Sequence, residues 1–549
     1  MKKTLAIMLA LIMVLTMVPA FAEGEVAQIG GTKYAKLDEA INAAADGATI
    51  ELLADCETSS GIKVEKKSLT IKSPGETKRK ITLNDLGIYT SSDEGNPDKK
   101  YLKFENCVLE IKANNNPSTE GSGSTANLIS NYNLIFLDAN ICIEKPETAR
   151  ISGMYLYQQS NLYIDGSQVT ISGFNEESAS GIYADDSEYK NEPNRRIEVK
   201  GGSKLKISDC DWYGMTINPI DVLVDNSTID ITDCGNQSYG GGIGCYYGKM
   251  TLTNNATVKT NNNRGGAWGI FVKDLEMDGT STLSSCNNKG DGIDIGGSSN
   301  IKKGAKLTLD GNKKAGLFVF TGGDWNGNVE IPDGVTFSAQ NNGRGIWVNL
   351  GGILKMETGT VMYNSSDDYG GGVFNWGTSV LGNNVSLYNN HARIAGDDIY
   401  NLTSYYIGND ELVETNAKIT FGGVGSDWWL DGAPDCDGKI HKIDGWYEDD
   451  ANGKRWQAHK EKPEDNHISP VIATNQPIKS KVAVKAAHGA NAVEPTPVPT
   501  PGGNTGGNGG GNGGGYYNPT PTPVPVIVIP PKTGDMTVWQ SILHFLGIK

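Results

Sequence analysis

After its first 22 residues the chain never approaches 20 apolar residues in a row, the length a membrane-crossing helix requires. Positive charge is also in short supply. The 48 lysines and arginines face 64 acidic residues, a formal net charge of −16, which argues against a nucleic-acid partner and against attachment to anionic lipid. Of six histidines only His391 falls in the repeat region described below, so imidazole acid–base chemistry has little to draw on. The eight cysteines are spread over 380 residues with no CxxC pair, unlike a dense disulfide scaffold or the usual zinc spacings. Most are expected to be buried thiols. The glycine clusters follow no strand-to-helix pattern, so no phosphate-cradling loop is expected, and neither metal nor cofactor is called for.

What the chain has in quantity is glycine, 70 residues of it, with abundant Asn and Thr and few helix formers in the middle. Its length exceeds what one hydrophobic core normally serves, and this composition favours a repeat architecture. The opening "MKKTLAIMLALIMVLTMVPAFA" joins two lysines, an apolar run and the small-residue site Ala20-Phe21-Ala22. It reads as a secretory signal over 1–22, cleaved before Glu23, and the protein is expected to be secreted.

A Gly-aliphatic motif recurs as "GMYL", "GIYA", "GMTI", "GIGC", "GIFV", "GIDI", "GLFV", "GIWV" and "GVFN". Its glycines, Gly153, Gly181, Gly214, Gly242, Gly269, Gly292, Gly316, Gly345 and Gly372, have a mean spacing of about 27 residues, inside the window of stacked supersecondary units. Two more short alternating runs follow each motif, so three strands and their turns fill one coil. Three residues past the last apolar position counted in each third run (Ile207, Ile231, Val258, Leu283, Leu309, Phe337, Val361 and Leu387) stand Cys210, Cys234, Asn261, Cys286, Asn312, Gln340, Asn364 and Asn390. This column reads as a stacked ladder at a turn. A propeller blade or a leucine-rich repeat would need other periods and consensus residues. The fold class is all-β, a right-handed parallel β-helix solenoid with three short strands per coil of about 27 residues. Upstream, "TKYAKLDEAINAAADGATIELLAD" reads as a short amphipathic helix with Leu37, Ala40, Ile41 and Ala44 on one face, placed to cap the open end of the stack.

That opening, the Gly-aliphatic coils and "YGGGVFNWGTSVLGNNVSLYNNHARIAGDDIYN" carry a resemblance to the right-handed β-helix, pectin-lyase-like proteins, and in particular to adhesin-like surface proteins of Gram-positive bacteria. The likeness covers about residues 26–430. It implies the fold more than the activity, since the scaffold hosts lyases, hydrolases, epimerases and non-enzymes. The expected organisation is a signal peptide at 1–22, an N-terminal cap at 23–50, the β-helix at 51–430 and a C-terminal cap or small domain at 431–490 with Trp446 and Trp456 buried. A disordered Pro/Thr/Gly-rich stalk at 491–529 and a sorting segment at 530–549 complete it. The segment "PPKTGD" is similar to the LPxTG-type signal that sortases cleave to join proteins to peptidoglycan. Pro531, Thr533 and Gly534 match it, Lys532 fills the variable place and Pro530 stands where leucine is usual. The following "DMTVWQSILHFLGIK" departs from the membrane span and basic cluster of that family.

Successive strand side chains face opposite ways, so in "RGIWVNL" Trp347 points away from a core that holds Ile346 and Val348. The two outward positions of the nine glycine-led strands include Tyr155, Tyr157, Tyr183, Tyr246, Phe271, Phe318, Phe320, Trp347, Phe374 and Trp376. Ten of eighteen are aromatic in a chain that is 8% aromatic, which chance composition does not give. Such a ribbon suits a polymer of sugar rings, and the resemblance points to the same sheet, which lines the substrate groove of the family's enzymes. Two other readings stay open: a stripe covered by a long turn such as "DDSEYKNEPNRR", with rings that only stabilise the sheet, or a protein partner.

Motifs of the fold's enzymes are missing: there is no Gly-His-Gly and no Arg-Ile-Lys. The remaining candidates are Asp291 and Asp294 in one coil with Lys273 one coil earlier; "SDD" at 366–368 and "GDD" at 396–398 read as turn chemistry. The resulting expectation is a monomeric, wall-anchored, adhesin-like rod without catalytic residues. It would bind polysaccharide or host glycoprotein through the ribbon, with sortase and peptidoglycan as anchoring partners. The alternative is a polysaccharide lyase or glycoside hydrolase acting around Lys273, Asp291 and Asp294.

Overall fold

The computed structural model describes residues 24–421 apart from short stretches, the longest being 113–125, together with the strands Trp446–Asp449 and Arg455–Gln457. The signal segment, the stalk, the sorting segment, most of 431–490 and most of the turn 185–196 lie outside the described residues. The chain forms an all-β parallel solenoid with coils of about 27 residues and 2% helix. It divides into two compact units, Met1–Val272 with Thr280–Ser284, and Lys273–Gly279 with Ser285–Lys549.

In the first unit the strands Ala27–Ile29 and Thr32–Tyr34 pair antiparallel, and the helix Leu37–Ala43 follows. Its face of Leu37, Ala40 and Ile41 is buried, with Ala44 just beyond it, as the apolar spacing requires. The Lys67 ammonium donates to the carbonyls of Ile41 (2.7 Å) and Ala44 (2.9 Å). A cation thus satisfies the open carbonyls of the helix C-terminus.

Each coil then repeats one scheme. Tyr213–Asn218, Asp221–Asp225 and Thr228–Thr232 make one coil, and their successors pair with them in parallel register, Met215 on Ile243, Val222 on Met250 and Ile229 on Val258. Like side chains therefore stack on like, and the coil interior fills with Ile, Val, Leu and Met that are wholly buried.

Glycine opens each coil for a steric reason. A Cβ on Gly181, Gly214 or Gly345 would lie 2.3, 2.3 or 2.4 Å from Ile207, Ile231 or Val361 of the coil's own third strand. Glycine and the aliphatic residue after it both face inward. The residue before the glycine consequently faces out, as does the one two places after it.

A left-handed residue ends each third strand: Asp209, Asp233, Asn262, Asn287, Gly311, Asn341 and Tyr363 all have φ between 55° and 70°, and Asp, Asn and Gly tolerate this best. The ladder rung comes next. In the first unit the rungs are Cys210, Cys234 and Asn263; in the second they are Asn288, Asn312, Asn342, Asn364 and Asn390. Asn261, Cys286 and Gln340, expected as rungs, are not. The last inward positions of those strands are held by Thr260, Ser285 and Ala339, all fully buried, so counting from the last large apolar residue stops two places short.

At the preceding turn of the first unit a second ladder runs through serine. Ala139 N–H donates to Ser167 Oγ, Ser167 N–H to Ser203 Oγ and Ser203 N–H to Ser227 Oγ, at 2.9 to 3.0 Å. Cys107, Cys210, Cys234 and Cys245 are buried thiols, whereas Cys56, Cys142 and Cys286 are half-buried. Burial pushes the Cys107 thiol up to about 12, far from a reactive thiolate.

Candidate aromatic surface

In the second unit the first outward row reads Asp294, Phe318, Trp347, Phe374 and Tyr400, each in register with the next. Ring centroids follow at 4.7 Å from Phe318 to Trp347, 5.8 Å to Phe374 and 5.6 Å to Tyr400. Ile293, Leu317, Ile346 and Val348, which alternate with this row, are fully buried in the coil. Trp347 is therefore outside because its strand neighbours occupy the core.

The row nevertheless hides much of its own area. Phe318, Phe320 and Phe374 are buried, while Trp347 and Trp376 are half-buried. Two turns supply further cover. Trp325 packs edge-on to Phe320 (5.3 Å) over Gly296, where a Cβ would lie 3.1 Å from the indole. Tyr369 packs on Tyr400 at 4.5 Å.

Arg344 binds these parts together. Its guanidinium carbon stands 4.8 Å from the ring centres of both Trp347 and Phe374, a favourable cation–π position. The same group donates to Ser366 Oγ, to the carbonyls of Tyr369 and Gly370 and, in a short ion pair, to the Asp368 carboxylate. Burial opposes ionisation of Asp368, but Arg344 and the donors Ser366 Oγ and Tyr369 N–H outweigh it and hold the carboxyl below the usual range. The "SDD" turn thus serves to clamp an arginine.

In the first unit Tyr155 lies 5.5 Å from Tyr157 and 5.3 Å from Tyr183, and Tyr183 stacks on Trp212 at 6.3 Å. Tyr157 is 39% exposed and Tyr155 and Tyr183 are half-buried. Farther along, Tyr213, Tyr246, Trp268 and Phe271 form a buried group, with Tyr246 at 5.3 Å and Trp268 at 5.1 Å from Phe271. The structure thus gathers the ten expected ring residues into clusters in each unit and buries five of them.

Asp291 and Asp294 lie on the strand Asp291–Ile295 and are 7% and 3% exposed. Asp291 Oδ1 accepts the Ala315 N–H at 2.7 Å, whereas Asp294 Oδ1 has no hydrogen-bond partner. Burial raises both carboxyls above the ordinary range; the charge of Asp291 lifts Asp294 further, and Lys314 opposes both shifts. Lys273, expected beside the acids, packs instead against Gly297, where a Cβ would lie 3.2 Å from its Cγ. The cations acting on Asp291 are Lys314 and Arg344. Among the described residues no group of three His, Cys, Asp or Glu could hold a metal ion.

Arg344, Tyr213, Trp268 and Asp291 share one signal that the outward count passed over: each immediately precedes a motif glycine. Trp212, Trp325, Tyr369 and Tyr400 carry no such mark. The sequence matches no protein-family model, and no curated protein matches it.

Proposed function

We propose that this is an exported surface protein of adhesin type that binds the glycan of a polysaccharide or glycoprotein through its outward aromatic rows. One observation carries the reading: Phe318, Trp347, Phe374 and Tyr400 stack in register on the outside of coils whose interiors are already full. Exposed aromatic area marks an interaction surface, and on this row and beside it such area is offered by the half-buried Trp347 and Trp376, since Phe318, Phe374 and Tyr400 are buried; flat rings beside Asn and Asp suit sugar rings. The rings that keep accessible area are Tyr157, exposed, with the half-buried Tyr155 and Tyr183 in the first unit and the half-buried Trp347 and Trp376 in the second. In this reading the stalk at 491–529 holds the solenoid off the wall, and a sortase joins the chain to peptidoglycan at Pro530, Pro531, Lys532, Thr533 and Gly534. Removing residues 530–549 should then move the protein from the wall fraction to the medium without altering its glycan binding.

The buried pair Asp291 and Asp294 favours a second reading, a polysaccharide lyase or hydrolase. The two separate by incubation with soluble polysaccharide. A binder leaves the polymer length unchanged for hours. An enzyme produces new chain ends, and Asp294→Asn stops them.

A further inference from the structure

We propose that Cys210 and Cys234 form a disulfide that staples two successive coils of the first unit, closing as those coils fold. The bond is independent of glycan binding and needs only an oxidising surround, which export supplies. Strand register brings the two residues together. Ser208 pairs with Thr232 at the ends of parallel strands, and each strand then turns through a left-handed aspartate, Asp209 with φ 55° and Asp233 with φ 57°. Cys210 and Cys234 follow in the same conformation, so their Cα atoms stand one strand spacing apart, about 4.8 Å. This lies within the roughly 4.4–6.8 Å that disulfides span.

The side chains run the same way. The Cys210 thiol donates to the Ser208 carbonyl (3.7 Å) and the Cys234 thiol to the Thr232 carbonyl (3.3 Å). The two thiols also hydrogen-bond to one another, and this contact together with burial holds Cys210 well above the usual thiol range. Elsewhere the register sets a cysteine on a different residue: Cys107 lies on Arg79, Cys142 on Thr170 and Cys245 on Ile217. In the second unit the same rung is held by asparagines whose side chains bridge successive coils at 2.8 to 2.9 Å. A thiol is a weak donor and a weak acceptor, so the thiol pair bridges its coils less firmly than an amide pair. A covalent bond restores the link.

Burial fixes when the bond forms. Both cysteines are 0% exposed, so no oxidant reaches them in the closed solenoid, and little thiolate is present there to react. Closure therefore belongs to folding, while the coils are still open. One cysteine, as its thiolate, attacks a sulfur of a disulfide carrier and expels one carrier thiol; the other attacks the mixed disulfide and expels the second. The two cysteines give up two protons and two electrons, and the carrier disulfide is reduced to two thiols. Once the coils close, the same burial shields the bond from reductants.

The test maps thiols in the full chain exported to an oxidising bacterial periplasm. The protein is quenched in acid, alkylated in denaturant and read as unreduced peptides by mass spectrometry. A peptide pair joined through Cys210 and Cys234 is expected. If no chain reaches the periplasm, reduced chain refolded with oxidised glutathione takes its place in the same map. Dithiothreitol should open the bond about tenfold faster or more in denaturant than in the native protein, where it is reached only through local opening. Opening it should lower the melting temperature by several degrees. Cys210→Asn, which supplies the side chain of the other rungs, should lack the joined pair and melt alike with and without dithiothreitol; the map of the parent decides the matter if this variant does not fold. Alkylation of both Cys210 and Cys234 in the parent, or joining of either to another cysteine, would overturn the staple. Equal opening rates in native and denatured protein would overturn closure during folding. Neither result touches the glycan reading, since no polymer enters the experiment.

Discussion

Asn342 uses its whole amide. Its Nδ2 donates to the Leu309 carbonyl (3.0 Å) and to Asn364 Oδ1 (2.9 Å), and its Oδ1 accepts from Asn312 N–H and Nδ2, both at 2.9 Å. Asn342→Ala leaves buried partners on both sides unpaired and should cost roughly 2 kcal/mol or more, read as a lower midpoint in urea. Asn342→Cys should cost less, because a thiol fills the same rung at Cys210 and Cys234. Asp294 gives a pH test. Its folded pKa lies above the unfolded value near 3.9, so its stabilising contribution is complete below that value and is lost as pH rises through the folded pKa. Asp294→Asn should therefore raise the melting temperature near pH 7, and the gain should vanish below about pH 4. Equal melting temperatures at both pH values would show that Asp294 is not held neutral. The outward direction of Trp347 was legible from alternation alone. The groups acting on Asp294 and Arg344 were not, because Asp368 and Lys314 sit in turns and Ser366 in a two-residue strand, none of which the period fixes.

The motif glycine is a property of the strand corner. Gly345→Ala would put a methyl 2.4 Å from Val361 Cγ1 and 2.5 Å from the Gly372 carbonyl oxygen. Backbone cannot yield as a side chain can, and the substitution should cost about 1–3 kcal/mol; thermal denaturation beside Gly351→Ala, whose Cβ would meet nothing within 4 Å, checks the difference between steric and conformational cost. Gly351 has a φ of 79° and Gly345 does not adopt a positive φ, so the two report different penalties. The glycine period was readable because a close approach recurs at the motif glycines: to an aliphatic of the third strand at Gly153, Gly181, Gly214, Gly345 and Gly372, and to the next coil's carbonyl at Gly242, Gly292 and Gly316. Its outward consequence was missed: the alternation restarts at the glycine, and Asp291 and Arg344 join the ribbon from the place before it. The ladder was misplaced by two residues at Asn261, Cys286 and Gln340 for a related reason, since Thr260, Ser285 and Ala339 face inward without being large and apolar.

Across the whole molecule, fold class followed from composition and one recurring motif, because a stacked coil repeats its steric problem in sequence. The extent of aromatic exposure did not follow. Burial of Phe318, Phe320, Phe374, Tyr246 and Phe271 comes from neighbouring rings and from turns such as those of Trp325 and Tyr369. The central claim is that the outward aromatic rows hold a glycan, and one comparison tests it most directly. The full chain and a Trp347→Ala, Trp376→Ala variant with an unchanged circular dichroism spectrum are run through gels cast with plant, mucin and bacterial polysaccharides. The account expects at least one polymer to retard the parent and the variant to migrate freely; equal retardation of both, or of neither, would contradict it.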